Sequence, residues 1–164
     1  MEELPVEESP VEASYPAATY FSSAIASSEL SAEGEYSYSA DNLLKKDKTC
    51  WAEGHEGAGE NEIIKLYLPD TRMLSGLEII NGYALGTEKQ YNDNGKVEDI
   101  SVSFSDGQTM YFTLDEMSTK NRGKSQYIRF DEPVATDYVT ITILSAYDDK
   151  RFDDTCLTYI APIQ

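Results

Sequence analysis

One histidine, one tryptophan and two cysteines among 164 residues leave little material for the common catalytic devices. Any triad with an imidazole base must use His55. The zinc-protease motif fails, because His55-Glu56 is not followed by a second histidine at helical spacing. Cys50 and Cys156 are thiol candidates, but neither sits in a convincing nucleophile context. Basic residues are also scarce: 13 Lys and Arg face 30 Asp and Glu, a formal charge of -17. Such a field repels phosphate backbones and anionic membrane surfaces, so nucleic acid is not an expected partner. No apolar run approaches the length of a membrane span, and MEELPVEESPVE has neither a basic n-region nor an apolar h-region. No direct membrane insertion is expected of this sequence, and any export signal or anchor would lie outside it.

The composition divides the chain in two. Met1 to Ser14 carry five Glu, two Pro and no basic residue, a self-repelling stretch that cannot bury enough apolar surface to offset its ordering entropy. Residues 1–20 are read as an acidic linker and 21–164 as one folded domain, which at this length buries roughly two-thirds of the surface its unfolded chain exposes. From Ile63 onward the pattern is short and period-two. IIKLYL puts Ile64, Leu66 and Leu68 on one face, and VTITIL does the same with Val139, Ile141 and Ile143. LEII, DISVSF, QTMYFTL, SQYIRF and CLTYIAPI are five further candidate strands, with turn residues between them. The class this predicts is all-β, an antiparallel sandwich or barrel. Helical periodicity is confined to SADNLLKK, where Ser39 could cap a turn presenting Leu43 and Leu44.

One hairpin can be read in register. In DISVSFSDGQTMYFTL a two-residue loop at Asp106-Gly107 would set Val102 against Tyr111. A three-residue loop, Ser105 to Gly107, pairs Val102 with Met110 and Ile100 with Phe112 and makes one face continuously apolar. The second register is expected, since a slip of one residue sends a whole apolar set to water. Gly107 then takes the left-handed position of a bulge.

TCWAEGHEGAGENE, Thr49 to Glu62, concentrates the only Trp, the only His, one Cys and three Gly. It resembles a phosphate loop superficially, but lacks the lysine of a P-loop and the spacing of a dinucleotide fingerprint, and its four glutamates repel phosphate. Paired carboxylates remain as a catalytic option, with Asp148-Asp149 and Asp153-Asp154 the right type for glycoside hydrolysis. In so acidic a chain, solvated loop carboxylates and turn caps are the plainer reading.

Taken in order, SADNLLKKDKTCWAEGHEGAGENEIIKLYL, LEIINGYA, YNDNGKVEDISVSFSDG and VTITILSAYDDKRFDDTCLTYI resemble the discoidin-like (coagulation factor 5/8 type C-like) branch of the galactose-binding-like superfamily, and within it the NADase-type glycan-binding domain. Asn42-Leu43, Thr49, Trp51, Glu53-Gly54, Gly57 and Gly59 match the family pattern. The resemblance implies a jelly-roll β-sandwich with ligand loops at one end. Trp51 then belongs either under the sandwich or in a sugar stack. The resemblance also implies a structural calcium, but Lys45 and Tyr159 stand at the usual ligand positions. Calcium needs several oxygen ligands, so the ion is expected to be lost and no cofactor is expected, with Lys45 a candidate to replace its charge, and with Asp41 and Asp47 left to rebuild a weaker site. Cys50 and Cys156 occupy positions the family fills with small or apolar residues. Those segments adjoin in the fold, and a disulfide closing about 100 residues would contribute roughly 4 to 5 kcal/mol in a chain-entropy model. Two buried free thiols are the alternative.

By the same resemblance the function is non-catalytic glycan recognition, on a bacterial secreted or cell-surface protein of Gram-positive type. Planar aromatics stack on sugar faces, while amides and carboxylates fork onto hydroxyl pairs. The loop GYALGTEKQYNDNGK offers Tyr83, Lys89, Tyr91, Asn92 and Asn94; SAYDDKRFDD offers Tyr147, Asp148, Phe152 and Asp153; Glu53 and His55 could complete the rim. Stacking is assigned to Tyr83, Tyr91 and Tyr147, and hydroxyl bonding to Asn92, Asp148 and Glu53. The expected partner is a glycan, held by a monomer with an affinity of roughly 4 to 8 kcal/mol. A protein-docking sandwich without sugar specificity is the alternative, and a small glycosidase using Asp148 and Asp153 the third.

Overall fold

The computed structural model describes residues 15–16, 20–54, 59–147 and 154–164. Its strands are β1 (Ser23–Ala26), β2 (Trp51–Ala52), β3 (Ile63–Asn81), β4 (Gly95–Lys96), β5 (Asp99–Phe104), β6 (Thr109–Thr113), β7 (Gln126–Ile143) and β8 (Thr155–Ile163), with one short helix, α1 (Glu88–Asp93). Hydrogen-bonded neighbours run β2-β8-β3-β7-β5-β6, with β1 beside β3 and β4 beside β8.

Two long strands build both layers. IIKLYL and LEII, expected as separate strands, are the two ends of β3, and SQYIRF and VTITIL are the two ends of β7. The pairing of β3 with β7 shifts register between Tyr67 and Arg72 and again between Leu74 and Gly76. Pro69 falls at the first shift and Pro133 at the second, between the paired residues Arg129 and Val134; proline has no N–H for the ladder and is tolerated where a strand is irregular. The first end of β3 pairs with β1 and with the second end of β7, which continues to β5. The second end of β3 pairs with the first end of β7 and with β8. All pairings are antiparallel except β4 with β8, a short parallel pair that the expectation of a wholly antiparallel fold did not include.

Alternation along these strands fills the core. Ile64, Leu66, Leu68, Val139, Ile141 and Ile143 all face inward and join Leu77, Ile79, Leu157 and Ile160 in one apolar cluster. Each such side chain contributes about 1.5 to 3 kcal/mol by leaving water. Trp51 is in the same cluster, fully buried, its indole N–H donating to the Ser28 carbonyl at 2.9 Å. It packs under the sandwich and is not available for stacking on sugar.

The β5–β6 hairpin has the three-residue register: Val102 faces Met110 and Ile100 faces Phe112. Gly107 sits at φ 87°, the left-handed region where a β-carbon is disfavoured. Ser39 caps a 3-10 turn over Ala40–Leu44, its hydroxyl accepting from the Asp41 N–H, with Leu43 buried.

Candidate functional site

Two clefts open where the segment after β1 meets the segment after β3. The first, of about 330 Å³, is lined by Leu30, Tyr36, Tyr38, Tyr83, Asn94 and Cys156 among others. The second, of about 390 Å³, includes Tyr36, Lys48, Thr49, Tyr83, Thr87 and Gln90. Gln90 lines the first as well, so Tyr36, Tyr83 and Gln90 form a shared partition.

The chain sets these side chains by local rules. Glu33 and Tyr36 exchange two backbone hydrogen bonds of 2.9 Å across a tight turn, which leaves the Tyr36 ring 55% exposed. Leu30 N–H donates to the Ala52 carbonyl at 2.8 Å and binds this segment to β2. Tyr83 is turned inward by Gly82, at φ 80°, where an added β-carbon would lie 2.9 Å from Lys96 Cγ. Thr158 Oγ1 donates to the Gly82 carbonyl at 2.6 Å and accepts from Ala84 N–H at 3.1 Å, clamping the same turn. Tyr83 meets Tyr38 edge to face, ring centroids 6.3 Å apart and planes at 81°. Burial, and then the neighbouring Cys50, push both phenols above their ordinary value, so both are neutral hydroxyls.

Gln90 comes from α1 and Asn94 caps its end, where the sequence pattern predicts a loop. Thr87-Glu88-Lys89-Gln90 is a capping box: Thr87 Oγ1 accepts from Gln90 N–H at 3.1 Å and Gln90 Oε1 accepts from Thr87 N–H at 2.8 Å. That bond leaves the Gln90 amide nitrogen as a donor at the partition. Asn94 Nδ2 donates to the Gln90 carbonyl at 2.9 Å, leaving its oxygen as an acceptor. Lys96, 1% exposed, holds the end of the helix. Its ammonium donates to the carbonyls of Tyr91 at 2.7 Å and Asn94 at 3.2 Å, lies 3.9 Å from Glu116 Oε1, and sits 4.0 Å over the Tyr91 ring.

Of the residues expected at the rim, Tyr83 and Asn94 are brought together at the first cleft. Tyr91 is not a stacking residue. It is 2% exposed, packs with Ile80 and Ala84, and donates its hydroxyl to the Met117 carbonyl. The Tyr147 hydroxyl is engaged by the Leu114 carbonyl at 2.6 Å, away from either cleft. Asn92 is exposed and accepts from Thr119 Oγ1 at 2.7 Å, and Lys89 pairs with Asp93 on the outer face of α1. Glu53 is fully buried beneath the rim, not on it. His55, Asp148, Phe152 and Asp153 lie outside the described residues. The sequence reading missed Tyr36 and Tyr38, although EGEYSYS, with tyrosines two apart after a Gly turn, carries the signal of aromatics presented together on one side of an extended segment.

Cys50 and Cys156 are both free and buried. They lie together beneath the first cleft, in one apolar cluster with Ala52 and Tyr83, and the Cys156 thiol donates to the Asp154 carbonyl at 3.9 Å. The neighbouring Cys50 and burial hold the Cys156 thiol well above its ordinary value. Beside Tyr159, one of the two positions where the resemblance implies a calcium ligand, it is Lys46 that approaches, 5.5 Å from the Tyr159 ring and 3.0 Å from Glu78 Oε2. Asp47 Oδ1 already accepts from Thr49 N–H at 2.9 Å. Among the described residues no group of three or more His, Cys, Asp and Glu could hold a metal.

Residues 14–161 match the sequence profile of the NAD glycohydrolase translocation F5/8 type C domain. The chain belongs to that family. Curated proteins give no sequence match. Among solved structures, the fold is similar to the family 32 carbohydrate-binding module of C. perfringens NanJ in complex with galactose, at 16% identity and TM-score 0.60, over 85% of this chain and 91% of that one. The family 32 carbohydrate-binding module of Streptococcus pneumoniae EndoD aligns at 10% identity and TM-score 0.63, over 89% and 99%. Part of the arabinofuranosyltransferase AftD from Mycobacteria also aligns, at 20% identity and TM-score 0.60; it covers 90% of this chain but 11% of that protein. These likenesses establish a discoidin-like, galactose-binding-like β-sandwich. No helix among the described residues is long and apolar enough to cross a membrane.

Proposed function

We propose that the domain is a non-catalytic carbohydrate-binding module of a secreted or surface-anchored bacterial protein, and that it holds glycan at the tyrosine-lined clefts. The observation that carries this reading is the shared partition of Tyr36 and Tyr83 with Tyr38 beside it, flanked by the Gln90 amide donor and the Asn94 amide acceptor. Aromatic faces take the C–H side of a pyranose, and fixed amides read its hydroxyls. The neutral phenols add hydroxyls without adding charge. Family membership and the carbohydrate-binding neighbours support the same reading.

Binding to a glycan array, followed by calorimetry on the retained sugars, tests it. Wild-type protein should retain a subset of glycans without releasing product, and Tyr36→Ala should abolish retention at unchanged melting temperature. Silence across the array would favour a protein-docking role, and released product a hydrolase.

A further inference from the structure

The two clefts share one partition and differ in what lines their outer walls. Tyr36, Tyr83 and Gln90 face both. Beyond them, the first cleft carries the carboxylate of Glu33, with Asp154 also lining it, and no Lys or Arg among the described residues. The second carries Lys48 together with Glu35, Thr49 and Thr87. Either volume, about 330 or 390 Å³, exceeds what a single shallow contact with one ring would use.

We infer that the clefts are two subsites of one binding site, so that the ligand is an oligosaccharide of at least two units straddling Tyr36, with a unit lacking a carboxylate in the first cleft. This rests on the glycan reading above and goes further in fixing ligand length and charge. A glycosidic linkage laid across the partition places adjacent rings on opposite sides of Tyr36 and Tyr83, within reach of the Gln90 amide. A uronic or sialic acid in the first cleft would bring its carboxylate toward the exposed Glu33 and toward Asp154, within a chain of charge -17, and like charges at that range are unfavourable. The Lys48 ammonium is a hydroxyl donor for the second unit and tolerates an acidic one.

The test is amide-resolved NMR titration of the whole chain with galactose, N-acetylglucosamine, lactose, N,N′-diacetylchitobiose and digalacturonic acid. A neutral disaccharide should shift amides on both sides, Ala52 and Asn94 as well as Thr49 and Thr87, and bind at least about tenfold tighter than its monosaccharide. Lys48→Ala, at an exposed position, should remove that advantage, bringing the disaccharide affinity down to about that of the monosaccharide. Glu33→Gln should raise the affinity for digalacturonic acid relative to that for lactose. The inference is overturned, with the glycan reading intact, if disaccharides shift one cleft only, gain nothing over monosaccharides, or bind equally well when acidic. No shift with any of the five sugars would overturn the glycan reading and this inference with it.

Discussion

Tyr38 and Tyr83 come from opposite ends of the candidate site's chain path, one before β2 and one after β3, and still meet edge to face at 6.3 Å. Their contact ties the exposed turn that bears Tyr36 to the buried corner after β3, so the stacking surface is braced from below. Tyr36 itself braces nothing. Tyr36→Ala is therefore expected to weaken glycan binding by about tenfold or more, roughly 1.4 kcal/mol, with the melting temperature unchanged. Calorimetric titration beside a thermal scan checks both halves. Tyr91→Phe should behave in the opposite way: it removes the hydroxyl bond to the Met117 carbonyl, destabilising by about 0.5 to 1.5 kcal/mol, and leaves affinity untouched.

That contrast marks how far the sequence could be read. Period-two alternation named the inward faces of β3, β5 and β7 correctly, because a register slip exposes a whole face and the pattern admits one answer. The hairpin at Gly107 followed from the same rule. Whether a tyrosine is rim or core is a different question, since the residue has an apolar body and a polar tip and suits both. Tyr91 looked like a loop aromatic, and a capping box that was present in TEKQ turned its loop into a helix with that ring inward. Tyr36 and Tyr38 lie before the first long strand, and only the fold carries them to Tyr83. Lys96 was silent for a related reason: a lysine in a polar loop reads as solvated, and nothing local announces that carbonyls of α1 converge on it.

Lys96 supplies a stability prediction. Its ammonium satisfies the carbonyls of Tyr91 and Asn94 at a helix end where such groups lack partners in the helix. Lys96→Met keeps the length and removes the charge, and is expected to destabilise the domain by about 2 to 4 kcal/mol. Chemical denaturation measures this. A loss below about 0.5 kcal/mol would mean that water or neighbouring groups replace the ammonium freely.

Calcium should make no difference to the folded domain. Lys46 bonds Glu78 at 3.0 Å, and Ser125 Oγ donates to the same carboxylate oxygen at 2.6 Å. Desolvation opposes the charge on Glu78, but these two hydrogen bonds outweigh it and hold the carboxyl below its ordinary value. An ion at Glu78 would have to displace the Lys46 ammonium. Chelation by EDTA, or addition of excess calcium, is expected to leave the melting temperature unchanged; a chelator-sensitive transition in the wild type would show that oxygen ligands gather elsewhere.

Cys50 and Cys156 should close into a disulfide under oxidised glutathione, two thiols giving one S–S bond and two molecules of reduced glutathione. Ala52 lies opposite Cys156 in the β2–β8 ladder, so Cys50 stands diagonally across from it, and the two sit in one buried cluster. The raised thiol makes the reaction slow at neutral pH and faster as pH rises, since the thiolate is the attacking species. Intact mass should fall by the two hydrogens lost, with a rise in melting temperature that Cys50→Ala abolishes. An unchanged mass after prolonged oxidation in mild denaturant would show that the strands cannot reach bonding geometry.

Alkaline stability carries the signature of the buried phenols. Burial, and secondarily Glu116, push Tyr91 from 10.0 to about 12, and burial raises Tyr83 further still. For each, the unfolded chain releases its proton near pH 10 while the folded chain retains it. Between those values the folded state holds more protons, so stability falls as pH rises. The melting temperature should be flat up to about pH 9 and drop steeply above 10, and tyrosinate absorbance should rise in two stages, with Tyr83 and Tyr91 contributing only as the domain unfolds. Tyr91→Phe, having no proton to lose, should flatten the drop. If absorbance instead rises in one stage at the ordinary tyrosine value while the domain stays folded, Tyr83 and Tyr91 are open to water and the braced stacking surface does not exist.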